Sequence, residues 1–406
     1  MANNNENKIL NVPNLRFPEF TGEWKEERLD EIATLSKGVG ISKEQLSNDG
    51  EPCILYGELY TKYKSEIIKE VDSRTNIDNS KLKRSKANDV IIPCSGETEV
   101  DIATARCVPF DNILLGGDLN IISLYQYDGA FMSYQLNGKR KYDIAKVAQG
   151  VSVVHLYGEH LKAISTYNPC LQEQQKIAKL LSLLDERIAT QNKIIEKLQS
   201  LIKGLNDYIL KNIEGNQVCF ADLGEAYGGL SGKSGDDFGC GDPFITYMNV
   251  YQNTYISEND YELVQIAPDE KQNSVQYGDA LFTLSSETPE EVGMGAVYLG
   301  KSQKLYLNSF CFGVHFHGNR VLPQYIAHFI SSTSFRKAIY PLAQGSTRFN
   351  LQKQDFMRIK FVLPSLEEQE RIATTLDALH NHLANEKLLT EKCLLLKQFL
   401  LQQMFI

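Results

Sequence analysis

Positive charge is scarce in this sequence. Of its 406 residues, 42 are Lys or Arg against 51 Asp or Glu, a formal net charge of −9. That balance excludes a protein that coats nucleic acid indiscriminately, but not a local basic surface, because only the local field acts at a docking face. Long apolar runs are also missing, and none approaches the roughly 18 residues of a membrane span. The eight cysteines, at 53, 94, 107, 170, 219, 240, 311 and 393, never form a C-x-x-C pair, so neither a zinc ribbon nor a redox motif is written. Scattered thiols, and an opening "MANNNENKIL" without a basic-then-apolar leader, lead us to expect a soluble cytoplasmic protein.

Catalytic motifs are absent as well. "GGLSGKSG" at Gly228–Gly235 falls short of a phosphate loop, which requires glycine where Tyr227 stands. "YNPC" is not the N-P-P-[YF] of amino-methyltransferases, and Pro169 suits the first turn of a helix. His315 and His317 alternate on a strand with no third ligand, so no metal is expected there. His380 and His382, two apart on a helix, do not share a face. No catalytic residue, metal or cofactor is expected in the chain.

What is present is a repeat. "NPCLQEQQKIAKLL" from Asn168 is echoed by "LPSLEEQERIATTL" from Leu363, with Pro169 meeting Pro364 at an offset of 195 residues. "AQGVSVVHL" answers "AQGSTRFNL" at the same offset, "NDVIIPCSGET" answers "GDALFTLSSET" at 190, and "PCILYGELY" answers "PFITYMNVY" at 191. Collinear matches with small drift are the mark of a duplication. The period is far too long for a solenoid. Each half is therefore a domain plus an appendage: 1–167, an α/β domain; 168–214, a long helix; 215–363, a second α/β domain; 364–406, a second long helix.

The helices follow from apolar spacing. Ile177, Leu181, Leu184, Ile188, Ile195, Leu198, Ile202, Leu205 and Ile209 step by four and three, broken at Gln191. In the second copy Ile372, Leu376, Leu379 and Leu383 begin a seam that drifts to Leu389, Cys393, Leu396 and Leu400, with a break at Glu386. Each rod of roughly 60 Å needs a partner, and the other copy supplies it in an intramolecular two-helix coiled coil. Gln191 and Glu386 are either register markers or incidental polar contacts. The domains read as mixed α/β, with strands in "CILYGELY", "DVIIPCS" and "NIISLYQY" and in "FITYMNVY", "DALFTLSS" and "FCFGVHFH", and helices in "FMSYQL" and "QYIAHFISSTSFRKAIY". Two diverged domains on a paired rod suit an object with two differing sites, bipartite DNA above all.

"VPNLRFPEFTGEW" followed by "RLDEIA", and the twice-written P-x-L-x-E-Q-x-x-I-A at a helix entry, resemble the specificity subunit of type I restriction–modification systems over nearly the whole chain. The resemblance implies two target recognition domains, each reading half of a split double-stranded DNA sequence. It also implies that the two helices pair as an antiparallel coiled coil, which spaces the domains and docks two modification (methyltransferase) subunits. S-adenosylmethionine would sit on those partners, which in turn can recruit restriction subunits. The chain itself would be non-catalytic. The rival reading is a two-headed protein-binding scaffold without DNA specificity.

Candidate DNA contacts are the matched loops Ser95, Glu97, Thr98 and Ser285, Glu287, Thr288, whose hydroxyl and acceptor groups meet base edges or else cap turns. Lys139, Arg140 and Lys141, like Lys81–Lys86, are phosphate clamps or solvated loops. Lys233 and Ser234 stand on a glycine-rich loop. The A-Q-G turns contribute Gln149 and Ser152, and Gln344, Ser346, Thr347 and Arg348; Val153 stands where the second copy has Arg348. For the partner, the candidates are Pro169, Leu171, Glu173, Gln174 and Ile177 with Pro364, Leu366, Glu368, Gln369 and Ile372, unless these stay alike only to pack on their own domains.

Overall fold

The computed structural model describes residues 10–78, 80–150, 152–302 and 304–406; most of the opening stretch read for a leader lies outside them. The chain divides into two units, residues 1–192 with 388–406, and residues 193–387. Each long helix, Leu171–Lys211 and Leu366–Gln403, contributes one half to each unit.

Unit one is built on a four-stranded antiparallel sheet in the order Ala33–Lys37, Leu119–Leu124, Asp89–Pro93, Arg106–Val108. The alternation of apolar side chains lets it bury both faces. Val90, Ile92 and Ile122 pack with Met132 and Leu136 of the helix Gly129–Asn137, while Ile91, Leu119 and Ile121 face Ile54, Leu59 and Leu115 on the other side. Unit two repeats the plan with Gly224–Gly228, Cys311–Phe316, Ala280–Thr283 and Gly295–Val297, again antiparallel. Its core is more aromatic: Phe220, Phe282, Phe312, Phe335 and Phe356 are buried together, with Phe282 and Phe356 centroids 4.5 Å apart.

Three readings of local structure need correction. "CILYGELY" and "FITYMNVY" are strands only in their first halves; they turn into the helices Glu58–Thr61 and Tyr247–Gln252, whose tyrosines are thereby lifted out of the sheet. The stretch "QYIAHFISSTSFRKAIY" is two helices, because the Ser332 hydroxyl caps a fresh start by accepting from the Phe335 amide at 3.2 Å. The second seam does not drift. Its inward positions continue by fours and threes through Glu386, Thr390, Cys393, Lys397, Leu400 and Met404, while Leu389 and Leu396 are exposed. Apolar spacing alone missed this because half of that stripe is polar.

The helices run antiparallel within each unit. In unit one Ile177, Ala178 and Leu181, at the start of the first helix, pack on Leu400, Met404 and Phe405 at the end of the second, together with Trp24 and Phe131. In unit two Leu205 and Ile209, late in the first helix, meet Ile372, Ala373 and Leu376, early in the second. The polar seam residue of unit one is explained by a buried ion cluster. Lys397 Nζ lies 2.6 Å from Glu66 and 2.7 Å from Asp185, and Asp185 also accepts from Tyr134 Oη at 2.7 Å. Burial alone would lower the Lys397 pKa, but the two carboxylates hold it above its ordinary value. Unit two uses a different polar tie: Asp377 accepts from Tyr255 Oη at 2.7 Å and from His328 Nε2 at 2.8 Å, and His380 stacks on His328.

Replacing Lys397 by alanine leaves two buried carboxylates facing each other, and should destabilise unit one by about 3–5 kcal/mol in urea unfolding. In unit two, burial holds His328 and His380 below the ordinary histidine pKa, only partly opposed by Asp377. The unfolded chain therefore takes up protons first, and stability should fall as pH drops below about 6.5. His328→Gln should flatten that slope in melting curves taken between neutral and acidic pH.

Candidate nucleic-acid interface

In each domain a two-residue ladder zips the S-x-E-T loop to the A-Q-G turn. Ser95 and Gly96 pair antiparallel with His155 and Val154; Ser285 and Ser286 pair with Asn350 and Phe349. The turns need their glycines. Gly150 (φ +133°) and Gly345 (φ +142°) occupy the left-handed region, and a Cβ on either would lie 2.1 Å from the carbonyl oxygen of Val153 or Arg348. The repeated A-Q-G is thus a backbone requirement, and it sets residues 153 and 348 at the same place in the two domains.

A cleft opens between this ladder and the short tyrosine-bearing helix. In unit one it has a volume of about 710 Å³ and is lined by Tyr56, Tyr60, Ser95, Glu97, Asp101, Arg106, Ser152 and Val153, among others. In unit two the cleft is about 340 Å³, lined by Tyr247, Met248, Tyr251, Ser285, Ser286, Glu287, Glu291, Phe310 and Arg348. Most of these residues are repeat partners. Tyr56 and Tyr60 answer Tyr247 and Tyr251, Ser95 and Glu97 answer Ser285 and Glu287, Asp101 answers Glu291, and Val153 answers Arg348. In both clefts a tyrosine hydroxyl braces the loop, Tyr60 Oη to the Ser95 carbonyl at 3.0 Å and Tyr247 Oη to that of Ser285 at 2.8 Å. Burial pushes both phenols above their ordinary pKa, so they stay neutral donors. The bond from Tyr251 Oη, 2.7 Å long, helps hold the Glu291 carboxyl below its usual range.

The tyrosines were not among the candidates read from sequence, although the repeated "PCILYGELY" and "PFITYMNVY" carried the signal. The structure brings Ser95, Glu97 and Ser152 into one cleft and Ser285, Glu287 and Arg348 into the other. Thr98 instead caps the helix Glu99–Ile102, accepting from the Asp101 amide at 3.1 Å, and Thr288 is the N-cap of the turn Pro289–Glu291. Gln149 and Gln344 pair through their backbones within the turns, where Ser346 and Thr347 are exposed.

Other candidates are corrected. Arg140 is a structural clamp: it donates to the Ile406 carbonyl at 3.0 Å and lies over the Tyr167 ring, while Lys139 and Lys141 flank it at a helix junction away from the cleft. Lys233 is buried against Glu270 and the Gln265 carbonyl, and Ser234 bonds Asp237, so that loop is tied to itself. Most of the proposed partner face is also interior. Pro169, Gln174, Ile177, Pro364, Gln369 and Ile372 are buried within their own units. Gln174 accepts from the Asp128 amide (2.9 Å) and donates to the Pro169 carbonyl (2.8 Å); Gln369 accepts from the Leu322 amide (2.7 Å) and donates to the Pro364 carbonyl (3.0 Å). Glu173 is gripped by Arg16 through two 2.7 Å bonds, whereas Glu368 pairs with Arg371 on its own helix. Of that face Leu171 and its counterpart Leu366 remain outward beside the half-exposed Glu368, and further along the helices Leu201 and its counterpart Leu396 are exposed too, these four leucines at 39–53%.

Two equivalent clefts on duplicated α/β domains, joined by long helices, define a two-headed recognition protein. The family model for the type I restriction modification DNA specificity domain matches residues 21–200 and again residues 228–392. The chain belongs to that family and carries its domain twice. It is 22% identical over 387 residues to the type I restriction enzyme EcoKI specificity subunit of Escherichia coli K12, covering 88% of this chain and 82% of that one. It is also 22% identical over 413 residues to the MjaVIII specificity subunit of Methanocaldococcus jannaschii, covering 93% and 90%. In fold it is similar to a type I restriction–modification S subunit from M. genitalium, with a TM-score of 0.59, 15% identity and coverage of 97% and 99%.

Gly345→Ala must relieve a 2.1 Å contact in a strained backbone, and should cost about 1–3 kcal/mol. Amide exchange should speed up in the ladder of Ser285–Ser286 with Phe349–Leu351 and stay unchanged in the ladder of unit one.

Proposed function

We propose that each domain of this chain reads one half of a split DNA sequence, and that the chain docks two modification (methyltransferase) subunits. The observation that carries this reading is one cleft built twice on one scaffold, with equivalent residues in most positions and different ones in a few. Two heads of common construction and diverged lining suit two half-sites that differ in sequence. The equivalently exposed leucines, Leu171 with Leu366 and Leu201 with Leu396, suit two copies of one partner, since each copy would meet the same apolar contacts. Further leucines on the second helix, Leu388, Leu394 and Leu395, with Phe399, have no exposed apolar counterparts on the first and enlarge the surface on that side.

Methyl transfer, and the S-adenosylmethionine it consumes, belong in this reading to the modification subunits, because the chain has neither an N-P-P-[YF] motif nor a glycine-rich donor loop. Restriction subunits would join through the same assembly, in the cytoplasm where the DNA lies; among the described residues no helix is long and apolar enough to cross a membrane. With −9 net charge the isolated chain gains little non-specific attraction to DNA, so firm binding awaits the partners.

Co-expression with the cognate modification subunit in a methylation-free host, followed by single-molecule sequencing, should reveal a split motif of two short halves around an undefined spacer. A continuous motif would mean that one head alone reads DNA, and no methylation from an assembled complex would favour the protein-scaffold rival. Leu201→Asp combined with Leu396→Asp should abolish co-purification of the modification subunit while leaving the chain folded.

A further inference from the structure

The lining of the two clefts differs in charge at one repeat-equivalent position of the A-Q-G turn. The backbone at 153 and at 348 is held by the same devices, the glycine turn on one side and the loop ladder on the other. A side chain at either place springs from the same point beside the ladder, so its chemistry sets the two domains apart there. Val153 is 52% exposed, with no apolar core to bury it. Arg348 is exposed, and no ion pair or side-chain hydrogen bond engages its guanidinium among the described residues.

An unpaired arginine on a rigid turn has two ligands to choose from, a phosphate or a base edge. The surroundings decide. Its companions in the cleft include Glu287, exposed and without a partner among the described residues, and Glu291. Two carboxylates repel a phosphate, whereas a base edge presents donors and acceptors together. The guanidinium fork matches the O6 and N7 acceptors of guanine, and a carboxylate matches an exocyclic amine. At the equivalent place in unit one, Glu97 is retained but the arginine is replaced by an apolar group that suits a thymine methyl.

We propose that Arg348 reads a guanine in the half-site of the second domain, that Val153 removes this requirement from the other half, and that Glu97 and Glu287 accept from a base amine in both. The proposal rests on the split-DNA reading above and goes further by naming which positions discriminate.

The test compares methylation maps of the wild-type chain, Arg348→Val, Arg348→Lys and Val153→Arg, each co-expressed with the modification subunit. Absence of a split wild-type motif would defeat the underlying reading itself. Given a split motif, Arg348→Val should lower the preference for guanine at one position by roughly 5- to 150-fold, leaving the other half unchanged. Arg348→Lys should relax the same position, because an ammonium keeps the charge without the fork. Val153→Arg should alter one position of the opposite half. An unchanged motif in Arg348→Val, a uniform weakening at all sites, or a wild-type map from Arg348→Lys would each overturn the proposal. The Arg348 guanidinium has no ion pair or hydrogen bond to lose among the described residues, but should Arg348→Val fail to assemble, Arg348→Lys and Val153→Arg carry the same decision.

Discussion

A buried glutamine at each helix entry holds the rest of the architecture in place. Gln174 and Gln369 each satisfy the amide at the start of a domain helix with one end and a proline carbonyl at the mouth of a long helix with the other. Both side chains are almost wholly excluded from solvent. An amide buried there must be bonded at both ends or cost free energy, so the angle between domain and helix is not free to vary. The surrounding parts of the phrase serve the same joint: the proline stands two residues before the helix, outside the first turn where sequence placed it, and Ile177 or Ile372 fills the core beneath. The phrase recurs because the joint recurs. In unit one the segment before the first strand tightens it further, with Arg16 on Glu173 and Trp24 set edge-on to Phe131, 5.7 Å between centroids.

Along the seam, stability and specificity are divided between different residues. Apolar positions supply burial without caring which neighbour they meet. Lys397 does care, since its ammonium is satisfied only when Glu66 and Asp185 converge on it, and any slip of the second helix in unit one would leave three charges uncompensated. That cluster also ties the helix pair to the domain, because Glu66 and Tyr134 belong to the latter. Unit two reaches the same end with a histidine–aspartate–tyrosine tie. The halves share a plan and differ in polar detail.

The two clefts show how divergence was confined. Residues that shape the backbone, Gly150 and Gly345 and the paired ladders, are common to both domains. Residues that face the opening are free to change, as at Val153 and Arg348. The tyrosine braces come from helices that sequence reading assigned to strands. That error concealed them, since β-branched and aromatic runs satisfy a strand rule even where the chain coils. Basic clusters misled in the opposite direction: Arg140 and Lys233 have the composition of phosphate clamps, yet each is consumed by an internal carbonyl or carboxylate.

By itself the sequence determined the duplication, the mixed α/β domains, the two long helices and their need for each other, because periodicity and repetition are properties of linear order. It could not determine which polar residues face inward. Glu386 and Lys397 look like surface residues until their partners, hundreds of positions away in the case of Lys397 and Glu66, are folded against them. Nor could it separate the exposed leucines from the buried ones, or gather a loop, a turn and a helix into a cleft. Those assignments depend on which groups water can still reach, and only tertiary packing decides that.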